Sequence, residues 1–260
     1  MIIIMRKSNV ILIGLIFALL LAIYSLNMNM DTQASTTGSS VQKNNDMQKD
    51  DSIQKSNSVQ ESNSVKKTVI IDAGHGGEDP GKVSSYSDLK EKDLNLKISL
   101  KLKQLLESAD YKVILTRAED KLVYSEGTTS IYDKRKQDLT RRKEIMDSSG
   151  AQIVVSIHMN GFPETKYYGA QTFFPPNSPD SLKLATSIQK SMKEMLDKDN
   201  KRDPQLKKDP IVILADLKTP TTIVECGFLS NAAEEKKLGT DEYQSKIAAA
   251  IKDGIDHYFK

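Results

Sequence analysis

Between Thr68 and Phe259, short apolar runs alternate with long stretches of helical period, and this narrows the possible folds more than any other feature of the chain. Residues 68–72, 112–116, 153–157, 170–174, 211–214 and 222–224 read as strands. Residues 91–108 place Leu94, Ile98, Leu102, Leu105 and Leu106 on one helical stripe. Residues 134–148 form a second helix. Residues 181–199 carry Leu184, Ile188, Met192 and Met195 in register, and residues 241–259 carry Ile247, Ile251, Ile255 and Phe259 at every fourth position. Strands that are apolar almost throughout must be covered on both faces. The expected architecture is therefore α/β: an open, mostly parallel twisted sheet flanked by helices on both faces, forming a single domain over residues 67–260.

The segment ahead of this domain has a different character. Residues 8–29 carry no charge, Arg6 and Lys7 precede them, and no basic residue follows until Lys43. A helix of that length spans a bilayer core of about 30 Å. The charge asymmetry makes residues 1–7 a cytoplasmic stub, residues 8–29 a membrane anchor, and everything beyond extracytoplasmic. A cleaved signal peptide is the alternative; Thr32-Gln33-Ala34 is a weak small-x-small site lying well past the apolar run. Residues 30–66 contain no aromatic residue and are rich in Ser, Asn, Gln, Asp and Lys. Such a composition cannot offset the entropy of ordering, so this segment reads as a disordered tether.

Several function classes are excluded by composition. The chain has a single cysteine, Cys226, which rules out an internal disulfide framework and any CxxC metal or redox centre. Net charge is +2, with basic and acidic residues interspersed rather than gathered on a basic face, so no nucleic-acid partner is expected. No HExxH is present, and the glycine loop lacks both the P-loop Lys-Ser/Thr pair and the GxGxxG spacing.

In an open α/β sheet, ligands gather beyond the carboxyl ends of the strands. Three such ends carry polar groups. The first is Asp72-Ala73-Gly74-His75-Gly76-Gly77-Glu78-Asp79-Pro80-Gly81, whose glycines let the backbone approach a ligand. The second is Ser156-Ile157-His158-Met159-Asn160, where His158 is expected at the point the strand ends. The third is Val224-Glu225-Cys226-Gly227-Phe228, with a carboxylate that is costly to bury without a role. Glu91 opens the first helix. Two histidines and a carboxylate, with water as fourth ligand, make a catalytic zinc site. Glu225 would then be a nearby general base and acid. Either histidine alone is more often an ordinary core or surface residue, and His257, late in the last helix, fits a contact with the helix C-terminus.

These segments resemble the zinc-dependent N-acetylmuramoyl-L-alanine amidases of the third amidase family. The resemblance runs through the glycine loop, Glu91-Lys92-Asp93-Leu94-Asn95-Leu96, Leu115-Thr116-Arg117, Leu139-Thr140-Arg141-Arg142, the His158 segment, and Val224 to Asn231. It covers essentially all of residues 67–260. It implies one Zn²⁺ held by His75, Glu91 and His158, with Glu225 as the catalytic glutamate and Arg142 near the site. Asp79 and Asn160 could orient the ligands from behind, with turn capping as the other reading for each. Residues 128–135, residues 169–174 and the single N-terminal span resemble the germination-specific branch of the family. That branch implies removal of stem peptides from spore-cortex peptidoglycan, leading to muramic lactam with a deacetylase. It also implies placement in the forespore intermembrane space. The implied partners are glycan strands with stem peptides, the membrane through the N-terminal helix, and an accessory protein that aids activity or metal loading. Cys226 and Ala215 depart from the family pattern. Along the strand Cys226 points away from Glu225, which gives it an apolar role. Two alternatives are another exported zinc hydrolase of the same polymer, such as a deacetylase, and a tethered wall-binding module without catalysis.

Overall fold

Strand β1 (Thr68–Ala73) is buried along its whole length and lies inside a six-stranded sheet, which is how the chain accommodates a run of six residues with almost no polarity. The computed structural model describes residues 66–207, Ile213 and residues 217–260. The expected anchor and tether, Ala215, and the expected strand at 211–214 apart from a buried Ile213, lie outside the described residues. Among the described residues no helix is long and apolar enough to cross a membrane.

The other strands are β2 (Lys112–Leu115), β3 (Ile153–Asn160), β4 (Gln171–Phe174), β5 (Gln205–Leu206) and β6 (Thr221–Phe228). Their spatial order is β2-β1-β3-β6-β4-β5, and only the β4–β6 pairing is antiparallel. The helices are α1 (Glu91–Ser108), α2 (Ile131–Ser148), α3 (Pro179–Leu196), α4 (Ala232–Leu238) and α5 (Asp241–Phe259). The mostly parallel α/β sheet with helices on both faces is thus the observed fold.

The two faces are covered differently. Alternate residues of the central strands (Val69 and Ile71, Ile153 and Val155, Val224 and Cys226) join the apolar stripes of α1, α3 and α5 in one large buried cluster. Residues of opposite parity (Ile70, Val154 and Ile223) join Met146 of α2 and Ile213 in a much smaller one, with partly buried groups such as Leu139 and Phe173 packed against it. Helix α2 buries just Asp138, Arg142 and Met146. The same parity that carries Ile70, Val154 and Ile223 toward α2 carries Asp72, Ser156, His158 and Glu225 to that face.

Most helix starts are capped conventionally. Ser130, Ser178, Asn231 and Thr240 accept backbone N–H groups of the first turns of α2, α3, α4 and α5. Helix α1 has no side-chain cap. Its first N–H groups donate instead to carbonyls of the glycine loop, Glu91 to Lys82 at 2.9 Å and Lys92 to Pro80 at 3.2 Å. The loop that carries His75 is thereby joined to the helix that carries Glu91.

Candidate metal centre

Strand pairing brings together residues far apart along the chain. In the sheet Ala73 stands beside Ile157, and His158 beside Glu225. Gly74 continues β1 by donating its N–H to the Ile157 carbonyl at 3.1 Å, which lays the start of the glycine loop against His158. A Cβ on Gly74 would fall 2.3 Å from the His158 imidazole, so only glycine allows this approach. A Cβ on Gly81 would fall 2.6 Å from Glu91 Oε2 and 2.7 Å from His75 Cδ2. His75 itself has φ +62°, the left-handed region that non-glycine residues avoid at a cost of roughly 1–2 kcal/mol. The loop is held in that conformation by its surroundings.

The result is a cluster of His75, Glu91 and His158 whose ligand atoms all lie within 4.8 Å of one another. Glu91 Oε1 is 2.9 Å from His158 Nδ1 and 3.3 Å from His75 Nε2. Backbone donors fix the carboxylate: Met159 N–H donates to Oε1 at 3.0 Å and Lys82 N–H to Oε2 at 2.7 Å. His75 is oriented through its other nitrogen, with Nδ1 2.8 Å from Asp79 Oδ2, and Arg135 Nε reaches the same oxygen at 3.1 Å. Asp79 also accepts from Gly81 N–H at 3.3 Å, so it holds its own turn as well as the imidazole.

Burial opposes charge on both Glu91 and His75, yet their mutual hydrogen bonds prevail. The two imidazoles hold the Glu91 carboxyl well below the usual carboxylate range. For His75 the carboxylates of Asp79 and Glu91 outweigh burial and raise the imidazolium to about 9. A buried carboxylate and an imidazole that favour positive charge between them, with the second imidazole in reach, fit a small divalent cation. Two nitrogens and one carboxylate are the donor set of catalytic zinc centres that keep a fourth position open.

Glu225 stands one strand away. Its Oε2 is buried with no hydrogen-bond partner. Burial, reinforced by the nearby Glu91 charge and partly offset by His158, raises its carboxyl to about 7. A buried carboxylate without a partner is costly unless a ligand or reaction uses it.

Behind the cluster lies a polar network that the sequence reading did not resolve beyond Arg142. Arg142 is almost wholly buried. It donates to Asp138 at 2.6 Å, to Asp72 at 2.9 Å, and to the carbonyls of Ala73 and His75 at 2.6 and 2.7 Å. Thr116 and Ser156 hydroxyls each donate to Asp72 at 2.6 Å. Arg117 donates to the carbonyls of Ala73, Gly74 and Lys92. These groups hold the backbone on either side of His75 rather than touching its imidazole. Asp72 had a visible signal, since it ends an apolar strand just as Glu225 interrupts one.

Strand β3 and Asn160 differ from expectation, whereas Cys226 and His257 lie as expected. Strand β3 does not end at His158 but continues to Asn160, with a bulge between the two. Asn160 is carried away from the ligands: its side-chain oxygen accepts from Gly161 N–H at 2.8 Å, and it makes no hydrogen bond to His75, Glu91 or His158. It caps a turn. Cys226 is buried in the apolar cluster on the opposite face from Glu225. His257 Nδ1 is 2.9 Å from the Asp253 carbonyl near the end of α5.

A mostly parallel α/β domain here combines a His-Glu-His cluster that could hold a metal ion with an unpaired carboxylate beside it, the donor set and general base that a metal-assisted hydrolase needs. The N-acetylmuramoyl-L-alanine amidase family profile matches residues 69–257, and the chain belongs to that family. It is 33% identical over 193 residues to the germination-specific N-acetylmuramoyl-L-alanine amidase of Bacillus subtilis, covering 74% of this chain and 80% of that protein. The CwlD amidase of Clostridioides difficile, solved in complex with the GerS lipoprotein, superposes with a TM-score of 0.73 at 46% identity, covering 75% of this chain and 98% of that one. Another N-acetylmuramoyl-L-alanine amidase from Clostridium difficile 630 gives 0.63 at 30% identity, covering 75% and 97%.

Proposed function

We propose that this chain is a zinc-dependent amidase that cleaves the bond between N-acetylmuramic acid and L-alanine in spore-cortex peptidoglycan. The observation that carries the reading is the convergence of His75, Glu91 and His158 within 4.8 Å beside the unpartnered oxygen of Glu225. Relatives described as germination-specific and as CwlD support the cortex assignment. Removal of stem peptides there would prepare muramic acid for lactam formation. Neither the deacetylase nor the non-catalytic alternative gains a supporting observation.

Zinc bound by His75, Glu91 and His158 would supply a Lewis acid that polarises the scissile carbonyl and acidifies water at neutral pH. Glu225 takes a proton from the attacking water at Oε2 and delivers it to the departing alanine nitrogen. Burial suits it to both tasks, because a carboxyl raised to about 7 can both accept and release a proton near neutrality. Asp79 holds the His75 imidazole with Nε2 toward the cluster. Arg142 holds the His75 carbonyl and the end of β1 in place.

The remaining assignments extend the sequence reading. Residues 8–29 anchor the chain with residues 1–7 in the cytoplasm, residues 30–66 tether it, and the domain works outside the membrane, in the forespore intermembrane space. By analogy with the relative solved with a lipoprotein, an accessory protein assists activity or metal loading.

The test is Glu225→Gln alongside His75→Ala and His158→Ala, with zinc content and released stem peptide measured on the same preparations. E225Q should keep zinc while turnover falls ~10²–10⁴-fold. Each histidine variant should lose both metal and turnover. An active, zinc-replete E225Q would overturn the mechanism, and full zinc occupancy in both histidine variants would overturn the ligand assignment.

A further inference from the structure

The glycine loop is gripped from outside as well as from behind. His75, Gly76 and Gly77 form an unbroken run of positive φ, at +62°, +142° and +53°. Only glycine enters that region freely, so a run that includes His75 needs support from its surroundings. The run leads into a tight turn. Gly76 N–H donates to the Asp79 carbonyl at 3.0 Å and Asp79 N–H to the Gly76 carbonyl at 2.9 Å, which leaves Gly77 and Glu78 at the tip. The turn brings Asp79 back to His75, with Oδ2 2.8 Å from Nδ1.

Both backbone groups of Gly77 enter a closed cycle of hydrogen bonds. Its N–H donates to Asp120 Oδ1 at 2.8 Å, its carbonyl accepts from Lys92 Nζ at 2.7 Å, and Lys92 Nζ also donates to Asp120 Oδ2 at 2.6 Å. The cycle joins the glycine loop, the first turn of α1 next to Glu91, and the connection from β2 to α2. The Lys92 side chain is only 11% exposed, and an ammonium so placed is costly unless it is paired and hydrogen-bonded. The connection also packs directly on the turn: a Cβ on Gly76 would fall 2.6 Å from the Lys121 carbonyl oxygen, and one on Gly77 2.8 Å from the Leu122 nitrogen. The other tip residue, Glu78, is held by the Tyr124 hydroxyl at 2.7 Å and Lys134 Nζ at 2.8 Å. Those contacts end on its side chain and fix no backbone group of the turn.

We infer that Asp120 and Lys92 are positioning residues for the metal centre. Through Gly77 they fix the turn that sets Asp79 against His75, and so keep the His75 imidazole in reach of Glu91 and His158. Their side-chain hydrogen bonds go to Gly77 and to each other, so they act through the backbone rather than by touching a ligand. The inference rests on the reading of His75, Glu91 and His158 as metal ligands and extends it to two residues outside the cluster.

The experiment titrates Zn²⁺ into the purified full chain after metal removal, and measures denaturant unfolding of the same metal-free preparations. Asp120→Ala and Lys92→Met should each weaken zinc binding roughly 10–100-fold, the range for partners that orient metal ligands. The double variant should lose little more than either single one, because both changes break the same cycle. Asp120→Asn keeps an acceptor for the Gly77 N–H and should recover part of the affinity. Lys134→Met, which releases only the Glu78 side chain, should bind zinc as the wild type does. If D120A does not fold, D120N and K92M carry the comparison. A D120A that is less stable without metal, yet binds zinc at wild-type affinity when folded, would overturn the inference, since that is the result of a purely structural pair. So would losses in D120A and K92M that add in full, or a K134M as weak as D120A. A wild-type chain that binds no zinc would sink the metal reading itself and this inference with it, whereas tight wild-type binding with D120A and K92M unchanged would sink this inference alone.

Discussion

The two faces of the sheet are held by different physics. Against α1, α3 and α5 the central strands bury a broad apolar cluster. Against α2 they bury a small apolar patch and a network centred on Arg142, Asp72 and Asp138. The apolar face gains stability from area removed from water, which is non-directional and tolerant of detail. The polar face recovers the cost of desolvating its charges only through correct hydrogen-bond geometry. It is also the face that carries His158 and Glu225. The difference teaches that the domain separates what keeps it folded from what shapes its site.

The largest expected effect breaks the polar side. Arg142→Met leaves Asp72 and Asp138 buried without their partner, a loss of roughly 3–5 kcal/mol. The loss should also loosen the His75 loop, so zinc affinity should fall in the fraction that stays folded. Denaturant unfolding together with zinc titration checks this. A stable R142M with unchanged zinc affinity would remove the contrast drawn between the faces.

On the apolar side Leu102→Ala is the counterpart. Leu102 is fully buried, and truncation should cost about 2–5 kcal/mol. Turnover per folded molecule and zinc affinity should stay at the wild-type level. An L102A chain that folds well but binds zinc poorly would show that the faces are coupled.

A smaller effect sharpens the comparison through pH. Burial would raise the Asp72 carboxyl, but Arg142 and the hydroxyls of Ser156 and Thr116 outweigh it and bring it down to about 2. A folded value below the unfolded one, near 3.8, means the stabilisation is complete above that pH and is lost as pH falls toward 2. The amount is about 2 kcal/mol. Urea midpoints measured from pH 5 to pH 2 should fall more steeply for the wild-type chain than for Asp72→Asn. Parallel curves would mean that the network contributes no acid sensitivity of its own.

Legibility in the sequence followed the same division. Helices α1 and α5 begin and end where their stripes of apolar residues predict, because burial of a helix face imposes a period that survives in one dimension. Strands β1 and β2 differ from expectation by one residue at an end. Two elements were not anticipated. Strand β5 is two residues long, and α4 has seven, too few for a period, although Asn231 followed by Glu234 is an N-cap signal. The register shift after His158 left no mark in composition, and beyond it Asn160 accepts from Gly161 N–H rather than joining the cluster.

From the sequence alone came the alternation that makes an α/β sheet, the strand parity that puts Glu225 and Cys226 on opposite faces, and the residue types from which a metal site can be built. Those are properties of neighbours along the chain, set by local period and side-chain chemistry. The strand order β2-β1-β3-β6-β4-β5, which inserts β6 between β3 and β4, belongs to the tertiary structure. So does the meeting of His75, Glu91 and His158. They depend on contacts between distant segments, and such contacts form only when the summed burial and hydrogen bonding of the whole domain outweigh the entropy of closing the loops between them.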